Sequence, residues 1–208
     1  MTPEDIAALF TGPDGYRFAR WGRPVVPVIF GPDGQSLAVL KAAIEAVVLA
    51  AGHKMAETDP ELGANLMMFF LSDWDELRGL DNLDRMVPGL PDLLTRLEEA
   101  GATQYRTFRF EADGAIKAAF VFVRLAGGQA TQPAAELGLE QAVKCLLAWA
   151  PDAFAGTSPL ARPEGGDAVL RQDFAALLAA AYDPSMPAEA RDDSHALRLY
   201  ARVSLAGG

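Results

Sequence analysis

The sequence predicts an α+β fold with a mixed, mainly antiparallel sheet packed against helices, and three observations carry that prediction. Residues 24–30 (PVVPVIF) and 65–71 (NLMMFFL) are apolar runs of strand length with a helical pattern between them. Residues 103–110 (TQYRTFRF) and 115–125 (AIKAAFVFVRL) are two β-rich segments joined through Ala112-Asp113-Gly114, which reads as a hairpin. The rest of the chain is dominated by helical periodicity, clearest over residues 36–51 and 136–149.

The elements follow in order. Thr2 is a good helix N-cap, Pro3 suits the first helical position, and Glu4 and Asp5 favour the positive end of a short first helix. Pro27 lacks an N–H, so the strand at 24–30 belongs at a sheet edge or a bulge. Gly31 to Gly34 (GPDG) turns the chain into a helix with Leu37, Leu40, Ile44, Val47 and Val48 on one face and Gly52 as its stop. Two strands joined by a helix are expected to be parallel neighbours. Residues 65–71 are apolar throughout, as in a strand buried on both faces. Residues 72–103 read as a helical insertion, with Pro91 near the start and Gly101 past the end of its main helix.

Phe120 to Val123 is apolar on both faces, so the second hairpin strand is expected to be internal. The helix after it starts near Pro133 and is expected to break or restart at Gly138. A Pro/Gly-rich loop spans 151–167, and a helix is expected over Val169 to Tyr182. Residues 197–205 (LRLYARVSL) alternate like a strand, but Pro187-Ala188-Glu189-Ala190 looks like a helix opening, so the C-terminal region is assigned to helix. The 208 residues fit one domain, 1–208.

Composition excludes several functions. Apolar residues make up 50% and charged residues 22%, enough to build a real core and too apolar for global disorder. The net charge of −10 repels phosphate backbones and anionic lipid, so neither nucleic acid nor membrane is an expected partner. A single cysteine closes no internal disulfide. No basic leader followed by an apolar run is present, and no stretch is long enough to span a bilayer; a cytoplasmic location is the expectation.

No nucleophile elbow, phosphate loop or dinucleotide fingerprint occurs. His53 and His195 lie far apart and neither has a second ligand at helical spacing, so a histidine zinc site is not expected. His53 is expected at the surface, and His195 in a solvated or capping role. Cys145 sits among Val143, Leu146 and Leu147, a core setting for an inert thiol. Glu140 and Lys144 have the spacing of a surface ion pair. Asp73 and Asp75, after a buried strand, are candidates for a hard cation, and Ser72 with Asp75 also makes a capping box. Arg17, Arg20, Trp21 and Arg23 form a local cationic cluster suited to a carboxylate or an acidic segment, or to internal ion pairs and cation–π contacts.

Four stretches carry a resemblance: 18–31 (FARWGRPVVPVIFG), 63–71 (GANLMMFFL), 139–149 (LEQAVKCLLAW) and 173–190 (DFAALLAAAYDPSMPAEA). Together they resemble an uncharacterised domain-of-unknown-function family, frequent in alphaproteobacteria and related by fold to the zincin metallopeptidases. The resemblance implies a zincin-like core, in which the helix after the hairpin carries the metal. The matching turn here holds Glu140, Gln141 and Lys144, and a lysine ammonium is no zinc ligand. The expectation is therefore a binding or interaction domain without cofactor, its surface lying between the sheet edge and that helix. The alternatives are a carboxylate-based hydrolase using Glu140, with or without a metal at Asp73 and Asp75, and a homo-oligomeric or partner-bound subunit.

Overall fold

Two strands that are apolar on both faces need cover above and below, and the architecture supplies it. The computed structural model describes residues 1–80 and 82–206. In chain order the elements are α1 (Pro3–Ala8), β1 (Thr11–Gly12), β2 (Gly15–Tyr16), β3 (Phe18–Ala19), β4 (Pro27–Phe30), α2 (Gly34–Ala50) and β5 (Leu66–Leu71). A 3-10 turn (Trp74–Leu77), α3 (Leu83–Met86) and α4 (Leu90–Glu99) precede the hairpin β6 (Gln104–Phe110) and β7 (Ile116–Arg124). A second 3-10 turn (Gly127–Thr131) leads to α5 (Ala134–Leu146), β8 (Leu160–Ala161), β9 (Val169–Leu170), α6 (Gln172–Ala181), β10 (Glu189–Ala190) and α7 (Ser194–Ala206).

The central sheet has the order β4-β5-β7-β6. Its β4/β5 and β5/β7 contacts are parallel and β6/β7 is antiparallel. The small ladders β1/β2, β3/β10 and β8/β9 are all antiparallel. The class is α+β with mixed sheets, and its antiparallel pairs lie in the hairpin and the small ladders. Pro27 is on edge strand β4, where its missing N–H costs no central ladder bond.

Period-2 alternation sends side chains to two cores. Met68, Phe70, Ala119, Val121 and Val123 join the larger one, built with α1, α2, α5, α6 and α7. Phe69, Leu71, Ala118, Phe120 and Phe122 face the smaller one, closed by Trp74, Leu77 and the leucines of α4. Each of those buried leucines contributes ~2 kcal/mol. On this second face one row of aromatics crosses all four strands in register: Phe30, Phe69, Phe122 and Tyr105. Successive ring centroids are 4.7, 5.1 and 6.4 Å apart, each pair stacked.

Register is pinned by one buried amide. Asn65 Oδ1 accepts from Val26 N–H at 2.7 Å, and its Nδ2 donates to Pro24 O at 2.9 Å and Asp59 Oδ2 at 3.1 Å. Its backbone N–H donates to Val26 O, and its carbonyl accepts from Ala119 N–H. Asp59 is buried as well, and burial opposes its ionisation. Hydrogen bonds from the Leu62 and Glu61 N–H groups, Arg23 and Asn65 outweigh that penalty and hold the carboxyl well below its ordinary range.

Several local expectations are corrected. Helix α5 runs unbroken through Gly138, because this glycine is a contact point and not a stop. A Cβ there would stand 2.8 Å from Ala43 Cβ and 3.3 Å from Leu40 Cα, both on α2. The capping box after β5 is Asp73 with Glu76, one residue beyond the expected Ser72 and Asp75. Glu189 and Ala190 open no helix: they pair with Ala19 and Phe18, and the C-terminal helix starts at Ser194. Residues 169–170 are a strand, and α6 begins at Gln172. Asp81, within the acidic stretch 72–84, lies outside the described residues.

Gly138→Val is expected to destabilise the protein by about 2 kcal/mol through overpacking against α2. Adding Ala43→Gly should recover part of the loss, because it removes the atom met first. Urea midpoints of the two variants check this; an unchanged midpoint in Gly138→Val would contradict the close helix contact.

Candidate functional site

Helix α5 packs on α2 and turns Glu140, Gln141 and Lys144 toward the antiparallel edge strand β6. Strand β6 answers with Gln104 and Arg106, which share a face by alternation. Lys144 Nζ ion-pairs with Glu140 and also donates to Gln104 Oε1 at 3.2 Å. Gln141 Nε2 donates to the same Gln104 oxygen at 3.2 Å, and Arg106 donates to Gln104 Oε1 and Gln141 Oε1, each at 3.2 Å. Gln132 Nε2 closes the network on Glu140 Oε2 at 3.1 Å.

The Glu140–Lys144 pair is not at the surface, as its spacing suggested: the two side chains are only 18% and 11% exposed. Burial opposes ionisation of Glu140, but Lys144 and the side-chain amides of Gln132 and Gln104 outweigh it and hold the carboxyl below its ordinary value. For Lys144 burial wins: desolvation, with Arg106 adding repulsion, lowers its pKa despite Glu140. Both Glu140 oxygens are engaged in this network, one by Lys144 and the other by Gln132. Gln141 is fully buried with both ends of its amide engaged.

Arg106 links this network to a cleft of about 340 Å³. One wall is β6, contributing Arg106, Thr107, Phe108 and Phe110. The opposite wall is the first hairpin together with residues 148–151, just past α5. That wall is fixed: Ala148 N–H donates to Ala19 O, Ala150 N–H to Leu9 O, and the Trp149 indole to Val143 O at 2.9 Å. Trp149 stacks on Phe10 at 5.1 Å, and the Arg17 guanidinium lies 3.9 Å from the Phe110 ring centre.

Among the described residues, strand β6 has β7 on one side and no strand on the other. Thr103 O accepts from Arg124 N–H, which sets the alternation. Tyr105, Thr107 and Arg109 turn their backbone groups toward β7, and Gln104, Arg106 and Phe108 turn theirs toward the open edge.

The other sequence candidates disperse. Arg20 donates to Met186 O at 3.1 Å and lies over Tyr182. Trp21 is fully buried, its indole donating to Cys145 O at 2.9 Å. Arg23 holds Asp59, Glu61 and Glu111. Of the four residues expected to form a cationic cluster, Arg17 alone lines the cleft. Asp73 caps the 3-10 turn and Asp75 pairs with Arg78 at 2.7 Å. Among the described residues, no three His, Cys, Asp or Glu side chains converge as a metal donor set. Cys145 is buried, and burial pushes its thiol up to about 11.

Neither histidine matches its expectation. His53 is half-buried, bonded to Arg23 O at 2.9 Å and packed on Tyr182. His195 is buried against Phe18, with Nδ1 2.8 Å from the Tyr16 hydroxyl. Gln104, Arg106 and Gln132 were missed by sequence reasoning. The available signal was the Gln-x-Arg alternation, two polar groups on the strand face that turns toward α5.

Two predictions follow from these environments. Burial, reinforced by Arg198 and Arg202, brings His195 from its ordinary 6.5 down to about 4. The unfolded chain therefore takes the proton first. The contribution is fully present above about pH 6.5 and is lost as pH falls toward 4. Urea midpoints measured from pH 7 downward should fall in the wild type and fall less in His195→Gln; His53, also shifted down by burial, supplies part of the remaining slope. Equal slopes would contradict a buried neutral His195. Glu140→Gln leaves Lys144 buried without its counter-charge and is expected to cost about 2 kcal/mol. Lys144→Met in that background should restore much of the loss, and a Glu140→Gln single variant as stable as wild type would contradict the buried pair. Comparison of the chain with protein-family models, with curated proteins and with solved structures finds no match.

Proposed function

We propose that this protein is a non-catalytic binding module that captures an extended, acidic segment of a partner protein along the open edge of β6. The observation carrying this reading is the edge itself: seven residues without proline, unpaired on one side, facing a cleft. Such an edge invites strand addition, and proteins usually blunt or cover it. Outward amides at Gln104, Arg106 and Phe108 offer main-chain hydrogen bonds worth ~1 kcal/mol each. Phe10, Phe108 and Trp149 offer apolar contact for alternate side chains, and among the described lining residues Arg17 and Arg106 stand against one acid, Asp14, which favours an acidic guest.

A zincin-like plan for the scaffold is part of this proposal. It is supported by the element order, in which an edge hairpin is followed by a helix packed behind the sheet. The turn that would bear metal in such a scaffold presents Lys144, which has no lone pair to give, and Gln141, whose amide is spent on β6. The same polar turn braces Arg106 toward the cleft.

Selection from a displayed library of short random peptides tests this. Acid-rich peptides with alternating apolar positions are expected, and N-methylation at alternate residues should abolish their binding. Arg106→Glu should reverse the charge preference. No enriched class, or the same class selected by Arg106→Glu, would contradict the reading.

A further inference from the structure

On the far side of the sheet, the insertion of residues 72–103 packs over Phe69 and Phe122 of the aromatic row, and a cavity adjoins the rows beneath them. The next rows on that face are Val28, Met67, Phe120 and Thr107, then Ala118 and Arg109. Met67, Ala118 and Phe120 floor a cavity of about 570 Å³, walled by α3 and by the segment entering β5. That volume lies in the range of small-ligand sites. Two of its wall residues, Leu62 and Met86, are 41% and 37% exposed, large apolar side chains with incomplete cover.

The charged side chains lining it are basic, with Glu61 and Glu111 beside Lys117. Arg85, Arg109 and Lys117 line the cavity, and among the described residues no aspartate or glutamate does. This occurs in a chain with 28 acidic and 18 basic side chains. Lys117 reaches the cavity because it is the extra residue of a bulge: Arg109 pairs with Ala118 and Phe110 with Ile116, leaving Lys117 unpaired between them. Its ammonium is engaged by Glu61. Arg109 donates to Met86 O at 2.8 Å, and among the described residues no carboxylate lies within ion-pair distance of it. A planar guanidinium at the mouth of an apolar cavity suits a carboxylate head on an aliphatic tail.

We infer that this cavity binds a single-headed aliphatic carboxylate, with the head on Arg109 and the tail over Met67, Ala118 and Phe120. The site is separate from the β6 cleft and does not depend on the function proposed for it. Titration calorimetry of the full chain with decanoate tests the inference, with 1-decanol and decyltrimethylammonium as matched tails. Saturable binding of one decanoate per chain is expected, at least tenfold tighter than either control. Arg109→Gln should weaken decanoate about tenfold and leave decanol unchanged. Ala64→Phe, which adds a ring to the cavity lining, should abolish binding; thermal unfolding of both variants checks that they remain folded. Absence of saturable binding, equal affinity for the three tails, or wild-type decanoate affinity in both folded variants would overturn the inference.

Discussion

The buried amide of Asn65 is the interaction on which the rest of the structure depends. It ties the chain before β4, the start of β5 and, through its own carbonyl, β7. A slip of one residue would carry Met68 and Phe70 to the face of Phe69 and Leu71 and exchange the two cores. The amide is itself held by Asp59, and Asp59 by Arg23, so a polar node at one end of the parallel strands sets the register of an apolar sheet. Each member is satisfied, which is the condition for a buried polar group to specify structure without a large penalty.

With register fixed, the cover on each side determines which surfaces stay open. The larger core is closed by five helices, and the close α2–α5 contact at Gly138 places the polar turn of α5 against β6. The hairpin leaves β6 at the margin, so its outward amides face the cleft. The opposite face receives only the insertion of residues 72–103, which packs over Phe69 and Phe122 and leaves a cavity beside Met67 and Arg109. Both candidate surfaces thus follow from a four-stranded sheet covered unequally.

Much of this was legible in the sequence where one residue class dominates. The apolar runs at 66–71 and 116–124, the helix at 34–50 and the hairpin turn follow from periodicity and turn chemistry. The misreadings fall where tertiary contact decides. Gly138 looks like a helix breaker until α2 is placed against it. Glu189 and Ala190 look helical until β3 offers them a ladder. His195 looks solvated until Tyr16 and Phe18 enclose it. The candidate site was half legible: Glu140, Gln141 and Lys144 stand out by spacing on one helix, but Gln104 and Arg106 join them only through the packing of α5 on β6.

The central claim is that β6 presents a preformed, uncovered edge. Amide hydrogen exchange measured residue by residue in the free protein tests it most directly. The account predicts rapid exchange at Gln104, Arg106 and Phe108 beside slow exchange at Tyr105, Thr107 and Arg109. Uniform slow exchange along all six would contradict it, because the edge would then already be paired.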